Sequence, residues 1–282
     1  MKIYKKFKNY NESIENAKFY DSYNEEVIFH AYWTGKLRFV HFVSIFSCFY
    51  FNIQNNDKFK IILWVNKTKK NKFYKQISKF AEIREFNFEE EIKDTIFEKE
   101  LDYKTQSKPT HQANLYRTIL LFNYGGCWFD LDVFFLRSFE PLFNKFKNEI
   151  CLYQWENENY PNNAIYFSLE KKSKELEKNI EYIISKNQGW GFQQANLTID
   201  SQLNFLVLPC EWFDAGWVDN PYNFTWDNFF QKSTQIVNFE NFFPGAFTYH
   251  WHNRWTMSVH RKSPLMQLFR IIFDDYTNSN LS

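Results

Sequence analysis

A helix, a pair of glycines, a buried strand and two acids follow one another in one short stretch of the chain. From Pro109 to Tyr124 apolar residues recur at helical spacing, and Gly125 and Gly126 supply a stop that commonly ends a helix. The apolar run from Cys127 to Phe129 then predicts a buried strand. This order is typical of an α/β fold, in which a helix packs on the strand that it feeds.

Two aspartates, Asp130 and Asp132, stand where that strand ends. Residues two apart on a strand point to the same side, so we expect both carboxylates to face one pocket. Two like charges so close raise each other's pKa unless a cation lies between them. Oxygen ligands of this kind favour Mg²⁺ or Mn²⁺, which usually share their coordination with substrate phosphates. The pattern predicts a metal–diphosphate site; a solvated turn with two acids is the alternative.

Arg117 lies on the preceding helix, two turns before its end. Taken alone, it is a surface charge or a member of a helical ion pair. Beside a phosphate–metal site, it becomes a candidate contact to a sugar or to its phosphate.

The stretch NLYRTILLFNYGGCWFDLDV, from Asn114 to Val133, resembles the signature of glycosyltransferases with a DXD sugar-binding region. This family-32-like group includes yeast-type initiating mannosyltransferases, alpha-1,4-galactosyltransferases, many bacterial capsule and lipooligosaccharide enzymes and, more distantly, the glucosyltransferase domains of clostridial toxins. Their pattern is Ser-Asp-x-x-Arg, an apolar helix, Gly-Gly, an aromatic residue and Asp-x-Asp. The resemblance implies a Rossmann-like GT-A fold and a UDP- or GDP-sugar donor bound through Mn²⁺ or Mg²⁺. It also implies transfer with retention of anomeric configuration.

The chain departs from that pattern at Ala113 and Asn114, where the family usually has Ser-Asp. The family's aspartate commonly touches hydroxyls of the donor sugar, so Asn114 is an expected donor contact whose amide leaves the sugar's identity open. By the same resemblance Trp33, which ends the first predicted strand, would stack on the nucleobase; packing in the core is the alternative. Trp128, an aromatic residue of the motif, is a further expected substrate contact.

A second group of reactive side chains lies near the C-terminus, in the segment YHWHNRW. The family often places a histidine or an acid here, followed after a few residues by a tryptophan, to complete the metal site and cover the diphosphate. His250 stands five residues before Trp255 and fits that spacing best. His252 is the competing ligand, and Asn253 is a weaker candidate. An aromatic turn with hydrogen-bonded histidines is the alternative.

The resemblance assigns roles to these residues. Asp132, with Asp130 acting through water, and His250 would hold the divalent ion, which neutralises charge on the departing nucleoside diphosphate. Arg117 would contact the sugar or its phosphate. Trp255 would enclose the nucleotide together with the tryptophan of the first strand. We assign no nucleophilic carboxylate.

Alternating elements predict a mainly parallel central sheet flanked by helices, with right-handed crossovers. Asn66 ends the second strand, on the edge where ligands bind in open α/β sheets, and is an expected substrate contact. We predict one domain over residues 1–282, with a nucleotide-sugar-binding half to about residue 135 and an acceptor-binding half from 136. The predicted strands are 26–33, 60–66, 82–88, 127–129, 150–154, 164–168 and 205–208, and the predicted helices are 36–53, 71–80, 109–124, 172–185 and 264–273, with a ligand-covering loop at 188–196.

Composition narrows the classes of function. A net charge of +1 disfavours a general nucleic-acid binder, and we expect no nucleic-acid partner. The four cysteines are scattered without a Cys-x-x-Cys pair, which disfavours zinc and redox motifs and favours a reducing, cytoplasmic setting. We find no secretory signal and no apolar run of the ~18 residues that a membrane span needs.

Two lysine-rich stretches, Lys2–Lys8 and Lys67–Lys75, allow peripheral contact with the inner membrane face or with a glycolipid acceptor. A solvated face is the simpler interpretation of both. From the resemblance we expect a glycan or glycolipid acceptor and a role in capsule or lipooligosaccharide synthesis.

Two other classes of protein fit parts of the pattern. Haloacid-dehalogenase-type phosphatases also carry Asp-x-Asp after an apolar strand, but usually at the first strand and with a second acid pair downstream. Here Asp274 and Asp275 lie almost at the C-terminus, where they are poorly placed for that role. A non-catalytic carbohydrate-binding protein that retains the fold is the third possibility.

Overall fold

A mainly parallel sheet of eight strands forms the centre of the protein in the computed structural model, which describes residues 1–100, 109–155, 161–185, 203–218 and 224–280. The strands in these ranges are β1 (Lys2–Ile3), β2 (Val27–Thr34), β3 (Phe59–Asn66), β4 (Glu82–Glu85), β5 (Gly126–Phe129), β6 (Val133–Phe135), β7 (Cys151–Gln154), β8 (Pro161–Ser168), β9 (Leu206–Leu208) and β10 (Thr248–His250). The helices are α1 (Tyr10–Glu15), α2 (Phe39–Cys48), α3 (Lys72–Ile77), α4 (Phe88–Ile92), α5 (Phe97–Glu100), α6 (Pro109–Tyr124), α7 (Glu140–Phe146), α8 (Lys174–Ser185) and α9 (Pro264–Ser279).

The order of strands across the central sheet is β1-β9-β7-β8-β5-β2-β3-β4. Strand β8 runs antiparallel to both of its neighbours, and the other pairings in this sheet are parallel. Strands β6 and β10 form a separate antiparallel pair. The prediction of an α/β fold with a mainly parallel sheet flanked by helices is therefore confirmed.

Two apolar clusters cover the two faces of the sheet. On one face, α6 packs through residues such as Leu115, Ile119 and Leu120. On the other face, α2, α7 and β6 pack in a cluster that is rich in phenylalanine rings. The chain's many phenylalanines thus serve mainly as core, where aromatic rings add edge-to-face contacts to the area that they bury.

The helix predicted at 109–124 has those bounds in the structure, and the glycine pair ends it as expected. Gly125 and Gly126 both have positive φ angles, of 65° and 103°. A Cβ at Gly126 would collide with the carbonyl oxygen of Ile28, because β5 enters the sheet directly beside β2. Both the left-handed backbone and the close approach of the strands therefore require glycine.

Three local predictions are wrong. Asp130 and Asp132 do not lie on a strand: they lie in the tight turn between β5 and β6, where the amide of Val133 donates to the carbonyl of Asp130. The helix predicted at 36–53 begins at Phe39 and finishes as a π-helical turn, 49–53. The strand predicted at 82–88 ends at Glu85, after which the chain enters α4.

Several elements were not predicted, among them α7 and the β6–β10 pair. Helix α9 begins at Pro264 as predicted but continues to Ser279, since Tyr276 packs against Phe46 and Phe49 of α2 and its π-helical end. The predicted loop at 188–196 lies outside the described residues.

The four cysteines are buried free thiols. In the described ranges, no helix has both the length and the apolar character that crossing a bilayer demands. The predicted division into a donor half and an acceptor half stays a prediction.

Candidate active site

A cavity of about 380 Å³ opens at the edge of the sheet where β2 and β5 end. This volume lies in the range of small-ligand sites. The described residues that line it are Tyr32, Trp33, Thr34, Ala113, Asn114, Arg117, Trp128, Asp130, Leu131, Asp132, Trp155, Asn162, His250, His252, Asn253 and Trp255. The cavity thus brings together the motif on α6, the two acids and the C-terminal histidines.

Asp130 is held by two donors on its Oδ1 atom. The Arg117 guanidinium lies 3.1 Å away, and the Trp128 indole Nε1 donates at 2.7 Å. Arg117 is 4% exposed, lies over the Trp128 ring and donates to both oxygens of Asn163 on β8. Burial is the main cause that raises the pKa of Asp130 above its ordinary value; the nearby guanidinium opposes that rise, and the Asp132 carboxylate adds to it. One buried cation therefore ties α6, β5 and β8 together at the cavity.

Asp132 is almost fully buried, and its two oxygens have different surroundings. Oδ2 accepts a 2.6 Å hydrogen bond from the backbone amide of Asn253. Oδ1 lies 3.2 Å from His250 Nε2, but among the described residues no donor makes a well-aligned hydrogen bond to it. A buried carboxylate oxygen without a hydrogen bond is costly unless a cation compensates it.

The pairing of β6 with β10 brings His250 to the acids. In this register, His250 lies opposite Val133, the residue after Asp132, and the amide of Trp251 donates to the Asp132 carbonyl. Beyond β10, His252 and Asn253 adopt left-handed φ angles of 52° and 62°. This turn directs the Asn253 amide towards Asp132.

A second buried acid, Asp214, lies behind the histidines. His250 Nδ1 is 3.4 Å from Asp214 Oδ2, and His252 Nε2 is 3.0 Å from Asp214 Oδ1. Tyr153 completes the group, because its hydroxyl contacts both Asp214 and His250. The ligand atoms of Asp214, His250 and His252 all lie within 4.8 Å of one another.

Charge and burial explain the protonation states in this group. Burial opposes the charge of His250, but Asp132 and Asp214 outweigh it and raise the pKa of His250 to about 10. Burial likewise opposes ionisation of the two acids, but the histidines hold the pKa of Asp132 and of Asp214 below the ordinary value. His252 has a lowered pKa because it is buried beside the charged His250. The two carboxylates on either side of His250 thus favour positive charge at this point of the cavity.

Trp33 and Trp255 meet at the mouth of the cavity with ring centroids 5.2 Å apart. The ring centroids of Trp33 and His41 lie 3.9 Å apart, and the Trp33 indole Nε1 donates to the Lys36 carbonyl. The Trp33 ring is therefore partly exposed to the cavity and partly held by α2.

The structure brings most of the predicted site residues together. Asn114 lines the cavity one turn before Arg117. Trp128 lines it too, although its indole N–H is already used to hold Asp130. Asn66 is the exception: it pairs in register with Thr34, which lines the cavity, but is not itself among the described lining residues. The predicted functional roles of all these residues stay predictions.

Sequence reasoning missed the residues that support this cluster. Asp214 and Tyr153 were not singled out, nor were the cavity residue Trp155 and the Arg117 partner Asn163. The signal for Asp214 was its setting, an acid in an otherwise aromatic and apolar segment. Such a segment predicts a buried carboxylate, which requires partners.

The donor set fits a divalent ion. The cavity presents the carboxylates of Asp130 and Asp132 and the imidazoles of His250 and His252, and one carboxylate oxygen is buried without a hydrogen bond. Carboxylate oxygens are ligands that divalent ions such as Mg²⁺ and Mn²⁺ favour, and neutral imidazole is a common metal ligand.

Residues 45–149 match the family described as "Glycosyltransferase sugar-binding region containing DXD motif". This match includes α6, the glycine pair and both aspartates of the cavity. Residues 45–149 thus carry a glycosyltransferase DXD region. The sheet order, with β8 reversed and the DXD turn after β5, agrees with the GT-A fold expected from the resemblance. This match favours the glycosyltransferase interpretation over the phosphatase one.

Solved structures similar to this chain include several glycosyltransferases. PaToxG glycosyltransferase is 14% identical, with 69% of this chain and 73% of that chain covered and a TM-score of 0.41. Apo GlyE from Streptococcus pneumoniae TIGR4 is 12% identical, with 91% of this chain and 64% of GlyE covered and a TM-score of 0.49. The galactosyltransferase LgtC, in complex with donor and acceptor sugar analogs, is 11% identical, with 88% and 96% covered and a TM-score of 0.44. The chain spans less than two thirds of GlyE. Among curated proteins, no sequence matches the chain.

Proposed function

We propose that this protein is a metal-dependent glycosyltransferase, which transfers a sugar from a nucleotide-sugar to a glycan or glycolipid acceptor. The observation that carries the proposal is Asp132 Oδ1: it is buried, has no hydrogen bond from the described residues and lies 3.2 Å from a histidine nitrogen. A carboxylate in that state is suited to a cation.

Asp132 and His250 would hold Mn²⁺ or Mg²⁺, with Asp130 acting through water and with His252 and Asn253 as the remaining candidates at the cavity wall. When bound, the ion would stabilise the negative charge that develops on the departing nucleoside diphosphate. The Arg117 guanidinium and the Trp128 indole both contact Oδ1 of Asp130, so Oδ2 is the oxygen that would face a ligand.

Arg117 would contribute a guanidinium that is held in place before the nucleotide-sugar binds. Its guanidinium is already held by Asn163 and Asp130 and is stacked on Trp128, so little side-chain entropy would be lost when the donor binds. An anchored cation at this depth is suited to contact the sugar or the phosphate that joins it to the nucleotide.

The remaining expected donor contacts lie around the cavity mouth. Trp33 and Trp255 would enclose the nucleobase of a UDP- or GDP-sugar, and Asn114 would meet the sugar hydroxyls from α6. Asn66 would act only as a neighbour of Thr34, since it does not line the cavity.

The outcome and setting of the reaction rest on the sequence resemblance. Retention of configuration, a cytoplasmic location and a role in capsule or lipooligosaccharide synthesis belong to this proposal. Peripheral membrane contact has one structural support. Lys67, Lys69, Lys70 and Lys72 are exposed before and at the start of α3, and none of them has a carboxylate within ion-pair distance among the described residues. Exposed lysines of this kind attract anionic lipid.

The test is a thermal-shift screen of UDP- and GDP-sugars with Mn²⁺ and with EDTA. We expect one donor to raise the melting temperature only when Mn²⁺ is present, and release of nucleoside diphosphate from that donor to stop in EDTA and resume when Mn²⁺ is restored. Full turnover in EDTA would contradict metal dependence. Stabilisation by every nucleotide-sugar alike would contradict a specific donor site.

A further inference from the structure

Asp214 makes contacts that neither the motif nor the family match explains. Its side chain is fully buried, and it does not line the cavity among the described residues. The two histidines that do line the cavity lie next to it, with His250 and His252 ring centroids 3.9 Å apart. One buried carboxylate therefore backs two neighbouring imidazoles.

The hydrogen bonds at Asp214 fix the orientation of His250. Oδ2 accepts from the Tyr153 hydroxyl at 3.2 Å and from the Trp155 indole Nε1 at 2.7 Å. Since the Tyr153 proton points to Asp214, the Tyr153 oxygen is the acceptor for His250 Nδ1, 3.0 Å away. A neutral His250 then carries its proton on Nδ1. Its Nε2 lone pair faces Asp132 and the cavity.

His252 is held by the other oxygen of the same carboxylate. Its Nε2 lies 3.0 Å from Asp214 Oδ1, and its ring packs edge-on against Trp226 at 4.8 Å. The carboxylate thus contacts His252 at hydrogen-bond distance, and it reaches His250 through Tyr153 and through a longer contact of 3.4 Å with Nδ1. Carboxylates that hold the second nitrogen of a metal-binding histidine orient the ring and raise its basicity.

We infer that Asp214 is a positioning residue that orients His250 and His252 for a divalent cation and is not itself a ligand; this rests on the proposed metal dependence. The rival arrangement has one ion bound by Asp214, His250 and His252, whose ligand atoms lie close enough. That ion would need His250 Nδ1, which Tyr153 already contacts, and a carboxylate that Trp155 and Tyr153 already bond. Asp214 also does not line the cavity among the described residues.

The experiment measures the Kd for Mn²⁺ alone, by EPR of the free ion, in a double-mutant cycle. Asp214→Asn is made in the wild-type background and in a His250→Ala/His252→Ala background. We expect the Kd to rise by about 10- to 100-fold in the first and by less than about 2-fold in the second. Asp275→Asn removes an exposed carboxylate that accepts from the Tyr50 hydroxyl, and is the matched control without effect.

Equal effects in the two backgrounds would overturn the inference, because a purely structural residue acts independently of the histidines. If Asp214→Asn does not fold by circular dichroism, Tyr153→Phe removes only the hydroxyl between Asp214 and His250. It should raise the Kd by about 10-fold, with Tyr50→Phe unchanged. An unchanged Kd in Tyr153→Phe would also overturn it. A wild-type protein that binds no Mn²⁺ would instead refute the proposed function, and this inference with it.

Discussion

His250 Nε2 lies 3.2 Å from Asp132 Oδ1, and the pairing of β10 with β6 sets this distance. The two side chains come from segments that are far apart in sequence and meet only because His250 lies opposite Val133. The same pairing also places Asp132 beside the amide of Asn253, so one short antiparallel ladder assembles the cation-binding end of the cavity.

Replacing Asp132 by Asn should abolish sugar transfer while the protein still folds. The amide oxygen can still accept from the Asn253 N–H, but it offers no negative charge to a cation. We expect the rate of nucleoside diphosphate release to fall by more than about 100-fold. Asp275→Asn, in α9 and away from the cavity, should keep the wild-type rate. Substantial sugar transfer by the Asp132→Asn variant would show that Asp132 is not a metal ligand.

Replacing Arg117 by Lys should weaken both the fold and the activity. Lysine cannot donate to Asn163 and Asp130 together while stacked on Trp128, and it would leave buried acceptors without donors. We expect the free energy of unfolding to fall by about 2 kcal/mol or more. Arg84→Lys changes an exposed ion pair with Glu82 and should shift the free energy of unfolding by less than about 0.5 kcal/mol. Urea titrations of both variants give the comparison, and similar losses would show that burial of Arg117 contributes nothing.

Acid should destabilise the protein through His30. The Trp64 indole Nε1 donates to His30 Nδ1, and His30 Nε2 donates to the Gly125 carbonyl. Both nitrogens of the neutral His30 ring are therefore hydrogen-bonded. Burial lowers the pKa of His30 from 6.5 to about 4. A histidine with a lowered folded pKa has its full stabilising effect above the unfolded value and loses it as the pH falls from about 6.5 towards 4. At pH 5 the expected loss is about 2 kcal/mol.

The check is the pH dependence of unfolding for His30→Gln. Glutamine keeps one donor and one acceptor but does not titrate. Between pH 7.5 and pH 5, the wild type should lose about 2 kcal/mol more than the variant. If the two proteins have the same pH profile, other groups account for the acid sensitivity.

Replacing Gly126 by Ala should prevent normal folding, whereas Gly35→Ala should be tolerated. Both glycines have φ near 90°, at 103° and 90°. A Cβ at Gly126 would collide with the Ile28 carbonyl, but one at Gly35 would have no atom within 4 Å. We expect a loss of about 1–2 kcal/mol at Gly35 from backbone strain alone, and at least about 3 kcal/mol at Gly126. Thermal melts of the soluble fractions measure the difference, and equal losses would mean that strain alone governs both sites.

The sequence by itself determined the elements whose pattern is local. The helix 109–124, the glycine stop and the strand that leads to Asp130 follow from apolar spacing and from the left-handed backbone at Gly125 and Gly126. These features depend on residues within a few positions of one another, and so they can be read along the chain. The alternation of strands and helices likewise determined the mainly parallel sheet.

Only the tertiary structure decided which groups surround Asp132. The strand β10 is three residues long and has no periodicity to mark it, and its pairing with β6 is a long-range contact. Asp214 is one buried acid in an aromatic segment, and its two histidines and Tyr153 come from other parts of the chain. Side-chain pairing across such distances depends on packing in three dimensions, which leaves little trace in local spacing.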